Sequence, residues 1–358
     1  MMNQRRMVYL FVAAVVVIGI AVWVSLAKRP QSNETLAGKP VLEGLKPVLN
    51  DVTEIRISKG DATRATLRKR DADWSVVERE YTADSGKVRK FLLDLSALAV
   101  VEEKTSDPAN YARLGVEDVK SPQAGGTFVE IITAKKVFAL IVGKSGDGRS
   151  SYVRVNGAKE SALASPQVMA DADPKRWLDH ALVDIPEGRV KEVAVAPATG
   201  PAYSIAREKK EQTDFTVSNV PKGRQLTSPG AGNAAAGDLS SFQFDDVRHA
   251  PAEAKPAASA TFRTFDGLDV KVDGFLEGER HFVALTPASM VKDTEAEAQM
   301  LASRTKGWQF EVPAYKYDAM FRPLEQLLQQ PEPKPEKKGD KKPVPKPQAT
   351  PAEPTTSN

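Results

Sequence analysis

Residues 127–155 read TFVEIITAKKVFALIVGKSGDGRSSYVRV. Phe128–Thr133, Val137–Val142 and Tyr152–Val155 are short apolar runs rich in β-branched and aromatic residues, separated by charged or glycine-containing connections. Side chains of a strand point to opposite faces in turn, so runs of this kind form strands with a buried face. Three in succession predict an antiparallel meander. Val142-Gly143-Lys144-Ser145 invites a phosphate-loop reading, but the Walker pattern needs a glycine where Phe138 stands. Gly146 and Gly148 follow Lys144 between two strand-like runs, which predicts a hairpin loop instead.

N-terminal to the meander, Asp84 to Leu98 predicts a helix. Asp84 is suited to cap it, and Val88, Phe91, Leu92, Leu95 and Leu98 recur at helical spacing on one apolar face. Asp107-Pro108 followed by Leu114-Gly115 supplies a cap, a first-turn proline and a glycine stop for a shorter helix. Ser165-Pro166 and Asp173-Pro174 predict two more short helices by the same logic. Ser228–Gly237 and Ala250–Ala260 are rich in Ala, Gly and Pro and read as surface loops.

The pattern recurs. Ile55-x-Ile57 and Leu67 are echoed by Val193-x-Val195 and Ile205 at an offset of 138, and Trp74-x-Val76 by Phe215-x-Val217 at 141. Thr127-Phe128 is echoed by Thr261-Phe262 at 134. These echoes predict two duplicated halves, 45–185 and 186–330, each with strands, a helix, more strands and a C-terminal helix. The competing reading is chance, because alternating strands resemble one another. The fold class expected is α+β with mainly antiparallel sheets and short helices.

The ends differ from this body. Between Arg6 and Lys28 no residue is charged. The apolar run over residues 8–27 predicts a transmembrane helix, since about 20 residues rising about 1.5 Å each span a hydrocarbon core of about 30 Å. Tyr9 and Trp23 stand near its ends, where aromatic rings favour the interface. A cleaved signal peptide is the alternative, with Arg5 and Arg6 before the run and Ser25-Leu26-Ala27 as a cleavage site. Residues 1–7 are then a cytoplasmic head and 28–44 a linker. The expected location is a bacterial inner membrane, single-pass, with the large domain on the periplasmic side. Residues 331–358 are Pro, Lys and Glu with one large apolar residue, Val344, and predict a disordered tail.

The formal charge of +3 is an effect of the ends. Residues 1–29 carry four basic and no acidic side chains, and the tail carries six lysines and four acids. Residues 30–330 therefore hold 40 basic and 43 acidic side chains. A nucleic-acid binder shows a basic body, so that class is set aside. With no cysteine there is neither a disulfide nor a lipidated cysteine anchor.

Candidate chemistry is sparse. His180, His249 and His281 stand far apart in sequence without metal-ligand spacing. Glu78, Glu80, Asp84, Glu102 and Glu103 cluster near the first helix, either as a solvated edge or as dispersed carboxylates of a hydrolase. Tyr81, Tyr111, Tyr152, Trp74 and Trp177 either fill the core or line a carbohydrate groove.

A set of short motifs carries a resemblance. It comprises Leu45-Lys46-x-x-Leu49-Asn50-Asp51-Val52, Trp74-x-Val76, and Tyr81-x-Ala83-Asp84. The most specific run is Lys104-Thr105-x-Asp107-Pro108-x-x-Tyr111-x-x-Leu114-Gly115-Val116. Val142-Gly143-Lys144, Tyr152-Val153-Arg154, Trp177-Leu178, and Gly307-Trp308 before Pro313-x-Tyr315 complete it. Together they resemble the bacterial family of domain of unknown function 4340, over roughly residues 40–330. The resemblance implies an N-terminal membrane segment and genes beside those of an ABC-type export system related to gliding-motility transporters. It implies no catalytic residue set. The long Lys-Pro tail and the Ala-rich insertions depart from the family's pattern.

The expectation is a non-enzymatic, membrane-anchored accessory protein acting with ABC transporter subunits or a cell-envelope complex. It has no catalytic, cofactor-binding or metal-binding residues, and no small-molecule ligand or nucleic acid is predicted. The alternatives are an extracytoplasmic glycan- or peptide-binding module and, third, the hydrolase with dispersed carboxylates.

Overall fold

The computed structural model describes residues 38–60, 63–120 and 123–330. The expected head, transmembrane helix and tail lie outside the described residues, as does most of the linker. Among the described residues no helix is long and apolar enough to cross a membrane.

The first lobe contains β1 (Val52–Lys59), β2 (Thr63–Arg70), β3 (Asp73–Val76), β4 (Tyr81–Thr82), α1 (Ser85–Ala97) and β5 (Ala99–Glu103). A 3-10 turn at Pro108–Asn110 leads into α2 (Tyr111–Leu114), then β6 (Thr127–Thr133), β7 (Val137–Ser145), β8 (Ser151–Val155) and β9 (Ser161–Ser165). All nine strands form one antiparallel sheet, ordered β4-β3-β2-β1-β6-β7-β8-β9-β5. The meander is where the alternation places it. Val129, Ile131, Leu140 and Val153 point into the core, while Glu130 stays partly exposed.

Helix α1 covers the inner face. The Asp84 carboxylate accepts from the Lys87 amide at 2.9 Å, filling one of the orphan donors of the first turn. Val88, Phe91, Leu92, Leu95 and Leu98 are all buried, as their spacing predicts. The chain upstream is stitched to the edge of β5. Gly38 donates to Val100 O, Val100 to Lys39 O and Val41 to Leu98 O, each at 2.8–2.9 Å.

A 3-10 turn at Pro174–Trp177 and β10 (Ala181–Val183) lead to the second lobe. It contains β11 (Val190–Ala196), β12 (Tyr203–Ala206), β13 (Thr216–Val217), α3 (Asn233–Ala236), β14 (Phe242–Gln243) and β15 (Asp246–His249). It continues with β16 (Ala258–Thr264), β17 (Leu268–Glu277), β18 (Arg280–Ser289), α4 (Glu295–Thr305), β19 (Trp308–Val312), α5 (Ala314–Met320) and a closing 3-10 turn at Leu324–Leu327. The main sheet runs β13-β12-β11-β16-β17-β18-β19-β15, and β10 pairs with β14 separately. The architecture is thus mostly antiparallel sheet with a few short helices.

The two sheets share one strand order, β4 apart, and details repeat with it. Val52 faces Thr133 across a register shift, as Val190 faces Thr264. Thr133 Oγ1 donates to Lys136 O at 2.9 Å, and Thr264 Oγ1 donates to Leu268 O at 2.9 Å, each closing the next hairpin. The 3-10 turns also tuck in alike: Trp177 O accepts from Asp84 N, and Leu327 O accepts from Thr227 N.

Three sequence expectations are corrected. Ile131–Thr133 sits where Phe262–Thr264 does, so the Thr127-Phe128 echo was three residues out of register; both pairs are Thr-Phe, but only the backbone pairing distinguishes them. Ser165-Pro166 opens no helix. It ends β9 with a cis bond, and the Val168 amide that follows is held by Ser151 Oγ at 3.1 Å rather than by a helical carbonyl. Ser228–Gly237 is not a surface loop: it contains α3, with Ala236 buried and Gly232 lying against Ile205 and Val217. Small residues let that backbone approach the sheet closely.

Candidate functional site

The most specific motif run folds onto the outer face of the first sheet. Asp107 accepts from the Ala109 amide at 3.0 Å, and Pro108 occupies the first turn of the 3-10 segment. Gly115, with φ +71°, ends α2 in the left-handed conformation that glycine adopts without penalty. The loop lays Tyr111, Leu114 and Val116 over Phe128, Ile141 and Tyr152 as a small apolar cluster separate from the main core. Contact is close because Gly126, just before β6, and Gly143, in β7, lack side chains. A Cβ on Gly126 would lie 2.2 Å from Gly115 O, and one on Gly143 2.4 Å from Leu114 O. Lys144 Nζ donates to Arg113 O at 3.0 Å. Val142-Gly143-Lys144 is thus the seat of Leu114-Gly115-Val116.

Arg154 locks the loop. Its buried guanidinium donates to Val116 O at 2.7 Å, to Ala158 O at 3.1 Å and to the Asp118 carboxylate, and it stacks 4.6 Å over the Tyr111 ring. The Tyr111 hydroxyl donates to Lys159 O at 2.5 Å. Beside this lock opens a cavity of about 640 Å³. Phe128, Ile141 and Val119 give it an apolar floor, and Lys120, Asn156 and Lys159 stand on its rim. Glu117 Oε1 accepts from the Gly125 amide at 2.7 Å, and Oε2 is buried without a partner among the described residues. A floor of this kind holds an apolar side chain or acyl group while the rim supplies polar contacts.

A second cleft, of about 360 Å³, lies between the lobes. Arg79 donates to both oxygens of the buried Asp246 carboxylate at 2.6 and 3.1 Å, and Lys175 approaches it at 3.3 Å. Burial opposes ionisation of Asp246, but the Arg79 hydrogen bonds, the Val247 amide and the nearby cations outweigh it and hold its carboxyl below the ordinary range. The Arg248 and Arg280 guanidiniums both lie over the Phe282 ring, at 3.7 and 4.8 Å. Arg280 is in turn bidentate to Glu311, whose carboxyl that pair pulls down against burial. Each of these arginines has a carboxylate partner, so the cleft is an ion-paired clamp. Beneath it the Tyr81 ring packs edge-on against Phe244, Trp308 and Phe310 at 5.3–5.8 Å, joining the two cores.

The residues singled out from the sequence do not converge. His180 Nδ1 lies 2.6 Å from Phe244 O, His249 stacks on Trp308 and meets Glu80 at 2.9 Å, and His281 packs near Tyr317. Among the described residues no group of three or more His, Asp or Glu is placed to hold a metal ion. Glu78 accepts from the Thr66 amide, Asp84 caps α1 and Glu102 pairs with Lys104. Of the five aromatics, Trp74 and Trp177 belong to the main core, Tyr81 to the lobe junction, and Tyr111 and Tyr152 to the motif cluster. Arg79 and Asp246 were not singled out, and Arg154 was named only within a motif run. Arg79 and Asp246 are 167 residues apart, and only Arg154, in the Tyr152-Val153-Arg154 run, had a local signal.

Two antiparallel lobes of one strand order, with a motif loop locked on the first, define a two-lobed α+β body. The chain belongs to the family described as Domain of unknown function (DUF4340), whose profile matches residues 74–261. No curated protein and no solved structure matches it.

Proposed function

We propose that the chain is a non-enzymatic accessory protein, tethered to a bacterial inner membrane by residues 8–27, with its lobes on the periplasmic side. In this reading it works with subunits of an ABC-type transporter or another cell-envelope complex. The observation that carries it is the seating of Gly38–Val41 on β5. Ten residues, 28–37, separate the apolar run from the first sheet. At about 3.3–3.6 Å each they keep the first lobe within about 40 Å of the bilayer. A body held that close, with an apolar-floored pocket built by the family's own motif, is suited to receive a segment of a membrane partner. The shared strand order and the matched Thr133 and Thr264 bonds support an origin of the lobes by duplication.

The test is a photo-crosslinking residue at Lys120, on the pocket rim, in the full chain in native membranes. The expected product is a covalent adduct to an ABC transporter subunit, identified by mass spectrometry, with none from the same group at Lys209, exposed on the second lobe. An active C-terminal alkaline phosphatase fusion is expected alongside. Adducts to no envelope protein, or an inactive phosphatase with a fluorescent cytosolic fusion, would sink the reading. The binding-module alternative draws on the same apolar floor, and it calls for capture of a glycan or peptide without any transporter subunit.

A further inference from the structure

A third cavity, of about 440 Å³, opens between α1 and the turn joining β2 to β3, away from the motif pocket and the lobe junction. Its floor is Trp74, Leu92, Leu93 and Leu49, and Leu93 is half exposed there. Its charged lining is Lys69 and Arg89, and no carboxylate lines it. Asp51, Asp71 and Asp73 neighbour its lining in sequence without lining it, and Asp84, before α1, is turned to the Lys87 amide.

The donors on the lining of this cavity are open to a ligand. Arg89 has neither an ion pair nor a hydrogen bond among the described residues, whereas Arg79, Arg154 and Arg280 are each fully engaged. The indole N–H of Trp74, a residue only 8 % exposed, likewise donates to no described residue. Lys69 reaches only the Asn50 carbonyl, at 3.1 Å. A concave apolar floor with a few donors on its lining is the composition of a small-ligand site. The sign of those donors selects the ligand. Two cations and an indole N–H offer hydrogen bonds and positive charge to an acceptor, and the Trp74 and leucine surfaces accommodate an apolar body.

We propose that this pocket binds a soluble organic anion with one negative head and a compact apolar body, of the aryl- or alkyl-carboxylate class. Arg89 and Lys69 hold the head, and Trp74 and Leu93 the body. This site is independent of the partner-docking reading and departs from the sequence expectation of no small-molecule ligand.

The experiment uses the full chain in phosphatidylcholine discs, titrated calorimetrically with 3-phenylpropionate and with its neutral amide. The acid is expected to bind about tenfold or more tightly than the amide, because a charge-assisted pair to guanidinium is lost in the amide. Binding should perturb tryptophan fluorescence, and Trp74→Phe should remove that signal. Arg89→Gln, a change at an exposed and unpaired side chain, should weaken the acid about tenfold while leaving the thermal midpoint and amide affinity unchanged. Equal affinity for acid and amide, or indifference of the acid to Arg89→Gln, overturns the proposal. Displacement of the acid when the discs contain phosphatidylglycerol overturns the soluble source and assigns the pocket to a lipid head.

Discussion

The Arg79 guanidinium and the Asp246 carboxylate meet in a bidentate pair at 2.6 and 3.1 Å, one from each lobe. Removing one partner of a buried pair leaves the other charge without compensation. Arg79→Met and Asp246→Asn should therefore each lower stability by about 2–4 kcal/mol, with a coupling above about 1 kcal/mol in the double-mutant cycle. Urea denaturation of the four proteins measures both. Additive effects would mean the pair does not join the lobes.

The same pair has a pH signature. Asp246 ionises more readily folded than unfolded, so its contribution is complete above the ordinary Asp range and is lost as pH falls through its lowered folded value. The stability gap between wild type and Asp246→Asn should be widest at neutral pH and close in acid.

Asp238 works in the opposite direction. Burial, only partly offset by Arg322, pushes its carboxyl up to about 7, and its Oδ2 has no hydrogen-bond partner among the described residues. The folded state holds this proton more tightly than the unfolded chain does. Stability from this group is therefore full below about pH 4 and falls as pH rises towards 7. Asp238→Asn should be nearly neutral at pH 4.5 and stabilising by about 1–3 kcal/mol at pH 8. A variant equally or less stable than wild type at pH 8 would show that the carboxylate has a partner.

Gly143→Ala tests the seat of the motif loop. Its Cβ would stand 2.4 Å from Leu114 O, a backbone atom that moves only with the whole loop. A loss of about 1–3 kcal/mol is expected, with faster amide exchange at residues 111–116. Gly188→Ala, with open space at its Cβ and an ordinary backbone, should stay within about 0.5 kcal/mol. Similar small losses at both would remove the close approach from the account.

Leu92 and Lys90 sit two residues apart on opposite sides of α1, one buried and one exposed in an ion pair with Asp94. Leu92→Ala should cost about 2–5 kcal/mol and Lys90→Ala under about 0.5 kcal/mol. Equal effects would mean the helix is packed at a different phase.

Helix α1 was legible because five apolar residues repeat at its period and Asp84 stands at its cap. The β6–β8 meander was legible because alternation is itself the geometry of a strand with one buried face. Helix α3 was hidden because Ala and Gly bury no large side chain, so composition alone resembled a loop. Ser165-Pro166 looked like a helix start because the same dipeptide that caps helices also ends strands. The repeat was visible in Ile55 and Val193, whereas Thr133 and Thr264 give its true register through hydrogen bonds that no alternation reveals. The lobe clamp was invisible for a simpler reason: pairing across 167 residues leaves no local trace. The Lys69–Arg89 cavity was equally hidden, since its floor comes from a turn, a strand and a helix.

The stitching of Gly38–Val41 to β5 gives the molecule a mechanical order of failure. The chain enters on the first sheet, and Gln329, bonded to Gln225 O, leaves beside the second. Tension between those two points loads the edge stitching and the junction in series. The stitching peels one backbone bond at a time and stops at Leu42, whose side chain is anchored in the core. The junction must instead release the Arg79–Asp246 and Arg304–Asp179 pairs and the Tyr81 aromatic packing together. A pull therefore pays out a short length of slack from the first lobe while both lobes stay folded and joined.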